Sequence, residues 1–352
     1  MSREIKIADN VINDASECYV VAEIGHNHQG SVQMAKELFR AAAECGASAV
    51  KLQKRDNRAL YTEDLYNKPY DHENSFGATY GQHREALEFG REEYLDLQQY
   101  AGEIGITFFA TAFDFNSADF LADLDMPAFK IASGDIKNTP LLEHVASFGK
   151  PMIVSTGGAD MEDVERAYDT IMPINRQLCL MQCTSGYPPV FEELNLGTIT
   201  TFRERFQDVV VGLSSHDSGM AMALVGYILG ARIIEKHFTL NRAMKGTDHA
   251  FSLERPGLRR MVRDLRRSKV AIGDGIKRPF SSETAPMYKM GKKLVLARDL
   301  PAGTVLTRED IAIKSPNDGL APYRLAEVIG KQILRPMSRD ETISFDDLTE
   351  PA

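Results

Sequence analysis

VVVGLSSHDSGMAMALVGYILGARIIEKHF, residues 209–238, is the stretch whose reading decides the fold. Two strand-like runs, 209–213 and 233–238, flank an apolar segment that begins just after Gly219 and suits a helix. The first run leads into His216 and the second contains His237. If the runs are neighbouring parallel strands joined by that helix, both histidines leave the sheet at the same end, close enough to share one metal ion.

The same alternation extends toward the N-terminus. Strands are predicted at 19–24, 49–53, 107–112, 128–132, 152–155 and 178–183, with helices at 31–45, 91–104, 116–124, 140–148 and 161–171. Ser31 and Asp160 stand where N-caps belong, and Gly46, Gly105, Gly149 and Gly230 where helices should stop. Together these units are enough to close a (β/α)8 TIM barrel. An open doubly wound sheet would carry a glycine-rich phosphate loop after its first strand, and EIGHNHQG at 23–30 is not GxGxxG. Polar residues also cluster at the end of nearly every strand: Glu23, Lys51 and Gln53, Thr111, Lys130 and Ser133, Ser155, Thr184 and Ser185, Ser214 and His216, Lys236 and His237. A barrel gathers those ends around one mouth, whereas an open sheet would scatter them.

Residues 55–90 break the rhythm, being polar and aromatic with no clear period. A connection of that length is a functional lid or poorly ordered, and Tyr61, Tyr66, Tyr70, Phe76 and Tyr80 favour the ordered lid. RRMVRDLRRSK, 259–269, reads as the solvated face of the last barrel helix. Turn formers then mark a linker at 276–292, dividing a barrel domain at 1–275 from a small domain at 293–352. In that tail, strands at 294–297 and 311–314 enclose a Pro-Ala-Gly turn and a short helix starting at Thr307.

Composition bounds the function. With 43% apolar and 26% charged residues among 352, the chain can bury a large core, and its formal charge of −9 argues against general affinity for nucleic acid or anionic membrane. Cys18, Cys45, Cys179 and Cys183 form no CxxC and read as reduced, buried thiols. No apolar run reaches the roughly 18 residues of a membrane span, nor does the N-terminus carry the apolar core of a signal peptide; a cytoplasmic protein is expected.

Three groups of residues carry possible chemistry. His216 and His237 cannot complete a coordination sphere alone, which points to an open catalytic site for Mn²⁺, Mg²⁺ or Zn²⁺ able to polarise a carbonyl oxygen. Lys51 and Lys130, with Thr111, Ser133, Ser155 and Ser214, suit a phosphate and a carboxylate held together; the lysines could equally form a Schiff base or pair with carboxylates. Glu23, Asp135 and Asp248 are candidates for general acid or base, for orienting sugar hydroxyls, or for ion pairs with the same lysines. His26 and His28, just past the first strand, either contact a ligand or cap the following helix.

On these residues the sequence resembles the bacterial sialic acid (nonulosonate) synthase family, which condenses phosphoenolpyruvate with an N-acyl hexosamine. EIGHNHQG (23–30), KLQ (51–53), FKIASGD (129–135), STGG (155–158), CTSGYP (183–188), GLSSH (212–216) and EKHF (235–238) fall in family order and spacing, and the tail from Lys293 resembles the family's SAF, or antifreeze-like, domain. The resemblance implies a metal-dependent synthase, with His216 and His237 as ligands to Mn²⁺ or Mg²⁺. It places Lys51, Thr111, Lys130, Ser133, Ser155, Ser185 and Ser214 at phosphoenolpyruvate, and Glu23, Gln53, Asp135, Tyr187 and Asp248 at the sugar or the reacting carbonyl. It also implies a homodimer with exchanged SAF domains, each capping the other subunit's mouth.

Two departures bear on the acceptor. Asp135 stands where the family commonly has glutamate, and Lys314-Ser315-Pro316-Asn317 stands where it has an arginine-bearing segment that reaches the partner's sugar site. Lys314 and Arg324 are the candidates to replace that arginine. The acceptor is thus left open among N-acetylmannosamine, a 2,4-diacetamido-dideoxyhexose leading to legionaminic or pseudaminic acid, and another acyl pattern. A lysine Schiff-base aldolase on the same barrel and a non-catalytic sugar-binding protein are the alternatives.

Overall fold

A computed structural model describes residues 3–351. The chain divides into two compact units after Gly273. The first begins with an antiparallel hairpin, β1 (Glu4–Ile7) and β2 (Asn10–Asn13). Eight parallel strands follow: β3 (Tyr19–Gly25), β4 (Ala49–Lys54), β5 (Thr107–Ala112), β6 (Phe129–Ile131), β7 (Met152–Ser155), β8 (Leu178–Cys183), β9 (Val210–Ser214) and β10 (Ile233–His237). They close in sequence order, β10 pairing with both β9 and β3, so the (β/α)8 barrel expected from the sequence is the fold observed.

Local chemistry explains the helices between them. Ser31 Oγ accepts from the Met34 N–H at 3.2 Å to start Val32–Glu44, and Asp160 accepts from the Asp163 N–H at 2.9 Å to start Met161–Ile171. Gly230, at φ +113°, ends Ala221–Leu229, the helix between β9 and β10.

The two-residue period of the strands sorts side chains into two layers. Val20, Ala22, Val50, Leu52, Leu180 and Ile234 face outward into the core shared with the helices. Tyr19, Val21, Ala49, Phe109, Ile153, Met181 and Ile233 form a separate interior core with Ile5, Ile7 and Ile12 of the hairpin. The hairpin therefore plugs the N-terminal end of the barrel, a role the sequence reading did not assign to it: two strands of four residues carry too little alternation to stand out. Ile7→Ala is expected to cost about 2–5 kcal/mol of stability, as for other fully buried aliphatic truncations, measurable by urea unfolding.

Residues 55–90 are ordered. Short helices at Asn57–Leu60, Glu63–Asn67 and Tyr80–Glu85, capped by Asp56, Thr62 and Thr79, are each under two turns long, too short to show a period. Tyr80 packs edge-on against Tyr61 and Tyr70, with ring centroids at 5.1 and 5.5 Å. The predicted linker likewise contains a helix, Thr284–Met290; its Pro286 sits in the first turn, where the missing N–H would have had no intrahelical partner.

In the second unit, β11 (Lys293–Leu296) pairs antiparallel with β12 (Ile311–Lys314), and β13 (Gln332–Ile333) with β14 (Leu348–Thr349). Leu294, Leu296, Leu306, Val328 and Ile343 form its own core. Asp310 is buried there, and accepts from the Thr307 N–H and hydroxyl at 2.9 and 2.8 Å and from Arg298 at 2.8 Å. Among the described residues no helix is long and apolar enough to cross a membrane. All four cysteines are free thiols.

Candidate active site

The interior-facing positions change character along each strand. Tyr19 and Val21 lead to Glu23, Ala49 to Lys51 and Gln53, Phe109 to Thr111, Ala128 to Lys130, Ile153 to Ser155, and Ile233 to Glu235 and His237. Apolar side chains fill the lower barrel, and polar ones line a cavity of about 750 Å³ at its C-terminal mouth.

Lys51 is held from three sides: Glu23 Oε2 at 2.8 Å, Thr111 Oγ1 at 2.7 Å and Glu235 Oε1 at 3.8 Å. The two carboxylates that share it are driven apart. Burial pushes Glu23 up to about 7 despite Lys51, with Glu235 adding to the rise. Burial also works against ionised Glu235, but Lys51, Lys130 and the two histidines outweigh it and hold that carboxyl below the ordinary range. Gln53 donates to Glu23 Oε1 at 2.8 Å, fixing the carboxylate from the other side.

Lys130 is different. The residue is 3% exposed, and its ammonium donates to Ser155 Oγ at 2.6 Å and to the Ile131 carbonyl at 2.9 Å, with no carboxylate within ion-pair distance among the described residues. Burial holds its pKa below that of an ordinary lysine. The Gly157 N–H donates to Ser133 Oγ at 2.9 Å, and a Cβ at Gly157 would sit 2.0 Å from Ser185 Oγ; only glycine lets the backbone approach these hydroxyls. Lys130, Ser133, Ser155 and Ser185 thus form a cationic, hydroxyl-lined cradle on the β6–β8 side.

The histidine rings lie 5.3 Å apart between centroids, beside Tyr187 and Phe251. His216 Nδ1 faces the Thr184 carbonyl at 3.0 Å; donation there leaves Nε2 with its lone pair. His237 Nδ1 is buried without a hydrogen-bond partner, 3.7 Å from Asp248 Oδ2, and burial lowers the pKa of this imidazole. Glu235 Oε2 is a second buried oxygen without a partner. Among the described residues no three His, Cys, Asp or Glu side chains converge tightly enough to enclose an ion. Two imidazoles with unspent nitrogens and neighbouring orphaned atoms fit an ion bound at an open site, completed by ligand oxygens.

Glu23, Lys51, Gln53, Thr111, Lys130, Ser133, Ser155, Ser185, Tyr187, Ser214, His216, His237 and Asp248 all line the one cavity. Asp135 does not line it: it ends the 3-10 turn Ser133–Asp135 beside Asn138 at 3.4 Å, and burial raises its pKa to about 6. His28 stacks on Phe89 at 4.2 Å and accepts from the Gly30 N–H, serving the turn before the helix. Lys314 pairs with Asp340, and Arg324 with Glu327 at 2.9 Å, both within the small unit. The sequence reading gave no site role to Glu235, Arg55, His72, Asn74 or Arg84, which also line the cavity. Glu235 and Arg55 continue the inward parity of His237 and Gln53, a usable signal. Arg84 lies in the irregular segment and carries none.

Fold and site define the class: a TIM-barrel enzyme with a polar mouth lined by lysines, hydroxyls and histidines, followed by a small β domain. The NeuB family matches residues 38–277 and the SAF domain matches 293–349. The chain belongs to the NeuB family. It is 38% identical to the human N-acetylneuraminate-9-phosphate synthase, over 93% of this chain and 91% of that one. It is 34% identical to the N,N'-diacetyllegionaminic acid synthase of Legionella pneumophila, over 94% of each. A crystal structure of N-acetylneuraminic acid synthetase from Leptospira borgpetersenii, in complex with citrate, superposes with a TM-score of 0.72 at 30% identity, covering 81% of this chain and 95% of that one.

Proposed function

We propose that this chain is a metal-dependent nonulosonic acid synthase of the cytoplasm that joins phosphoenolpyruvate to the open-chain aldehyde of an N-acyl hexosamine and releases phosphate by C–O cleavage. The observation that carries this reading is Lys130, a buried cation with no carboxylate within ion-pair distance among the described residues, set in a hydroxyl cradle across the mouth from two histidines. Such a cation awaits a dianionic donor.

In this reading Lys51 and Lys130, with Thr111, Ser133, Ser155, Ser185 and Ser214, hold the phosphate and carboxylate of phosphoenolpyruvate and offset charge as its C3 attacks the aldehyde carbon. Gln53, Tyr187 and Asp248 orient the sugar. Glu23, whose raised pKa lets it hold or release a proton near neutrality, serves the water that adds at C2 before phosphate departs. Asp135, off the cavity wall, acts from the rim. His216 and His237 would hold the divalent ion, Mn²⁺ or Mg²⁺, which when bound polarises the aldehyde oxygen. The family resemblance supports a homodimer in which each SAF domain caps the partner's barrel.

The relatives differ in the products they are named for, one a 9-phosphate and the other a diacetylated acid. The test is phosphate release from phosphoenolpyruvate with Mn²⁺ against a panel of 2-acetamido and 2,4-diacetamido hexoses. Release with at least one acceptor, abolished by EDTA, is expected. Activity surviving EDTA with borohydride trapping by pyruvate would replace this reading with a Schiff-base aldolase; no release with any sugar would favour a binding protein.

A further inference from the structure

His26 sits between two guanidinium groups: its Nε2 lies 3.1 Å from Arg55 and its Nδ1 3.1 Å from Arg84. A neutral imidazole offers one lone pair and one N–H, so it can accept from only one of them. Protonation offers no escape, because burial and the two arginines hold His26 well below the ordinary histidine value. The one unused acceptor nearby among the described residues, Glu88 Oε1, is buried without a hydrogen-bond partner and lies 3.8 Å from His26 Nε2 and 3.9 Å from Arg55, beyond hydrogen-bond distance of either. The charge of the cluster is also unbalanced. Lys54 and Arg55 share a single carboxylate, Glu88, at 3.4 and 3.9 Å, while Arg84 has none within ion-pair distance among the described residues and otherwise touches only the Tyr80 ring and hydroxyl. Arg55 is 7% exposed, pinned over Phe113 at 3.7 Å and donating to Gln53 Oε1 at 2.7 Å. Both arginines line the active cavity.

Their place in the mouth gives the deficit a meaning. The hydroxyl and Lys130 cradle lies over β6–β8, the histidines over β9 and β10, and the arginines beyond β3 and β4 on the remaining side. Asp248 spans the gap, 3.7 Å from His237 and electrostatically coupled to Arg84. An acceptor whose aldehyde lies at the histidines and whose chain runs past Asp248 is directed toward the arginines.

Building on the synthase reading, we propose that the acceptor is an N-acyl hexosamine carrying a phosphate on its terminal carbon, and that Arg55 and Arg84 bind that phosphate. A phosphomonoester supplies the acceptor oxygens that His26 cannot, and two planar guanidinium forks match its geometry. The second anion site is then separate from the cradle for the donor.

The test compares kcat/KM for 2-acetamido-2-deoxymannose, its 6-phosphate and the 6-carboxylate analogue, with saturating phosphoenolpyruvate and Mn²⁺. The phosphate is expected to be preferred over the neutral sugar by about 100-fold, and Arg84→Gln to shrink that ratio by about 30-fold through KM, with Arg84→Lys recovering part of it. Equal use of the neutral sugar, preference for the carboxylate, or an Arg84→Gln loss shared equally by all acceptors would overturn the proposal while leaving the synthase reading standing. If no acceptor turns over, calorimetry still decides: the 6-phosphate should bind the wild type about 30-fold more tightly than Arg84→Gln, and equal binding would sink the phosphate site. Arg84 is partly exposed on a short helix, so thermal unfolding should show both variants folded.

Discussion

His237→Ala should lose at least about a thousandfold in turnover while the barrel stays folded. The proposed ion would be held by two imidazoles alone among the protein's side chains, so removing one halves the protein's share of the coordination sphere. Loss of a Lewis acid is worth several kcal/mol of barrier, about a factor of ten for each 1.4 kcal/mol. The fold should tolerate the change because His237 Nδ1 makes no hydrogen bond, and its truncation orphans no partner there. What is lost is ring packing on Phe251, at 5.0 Å, and on Tyr187. Phosphate release, thermal unfolding and Mn²⁺ titration separate these effects. Activity within tenfold of wild type, or wild-type turnover after metal stripping, would remove His237 from the metal site.

The barrel was legible because its signals are local and repeated. Each strand carries its own apolar period, and most of the helices following them carry a cap or a terminal glycine, as Ser31 and Gly230 do. The mouth was legible for the same reason: side chains two apart on a strand share a face, so Lys51 and Gln53, or Glu235 and His237, travel together. Features assembled from distant, irregular pieces were not. The hairpin finds its role only when Ile5, Ile7 and Ile12 meet the barrel floor, a contact written in no periodicity. Arg84 reaches the cavity from a six-residue helix within residues 55–90, where tertiary packing of Tyr61, Tyr70 and Tyr80 sets the geometry. Asp135 shows the converse. Its place just past a strand suggested the mouth, but a turn of 3-10 helix takes it off the cavity wall.

Lys130→Met should weaken phosphoenolpyruvate binding by about 100- to 1,000-fold and, at the same time, raise the unfolding temperature of the ligand-free protein. Both effects follow from one imbalance. The ammonium is desolvated by burial and hydrogen-bonded only to Ser155 Oγ and a backbone carbonyl among the described residues, with Glu235 acting on it from beyond ion-pair distance, so the ligand-free site bears the cost of an incompletely paired charge. The donor's anion repays that cost on binding, and breaking such a buried pair typically costs about 3–5 kcal/mol. Methionine keeps much of the side chain's bulk and removes the charge, at a gain of about 2–4 °C for each kcal/mol recovered. The pH dependence has a definite sign. Because the folded-state pKa is depressed, the unfolded chain binds more protons between that value and the ordinary lysine value, so this group's contribution to wild-type stability rises with pH through the window. Donor affinity moves the other way, falling as the ammonium is lost, and the fall begins below the ordinary lysine range. Lys130→Met should show neither trend. A variant that binds phosphoenolpyruvate as wild type does, or that is destabilised by several kcal/mol, would mean that Lys130 supports the barrel rather than the donor.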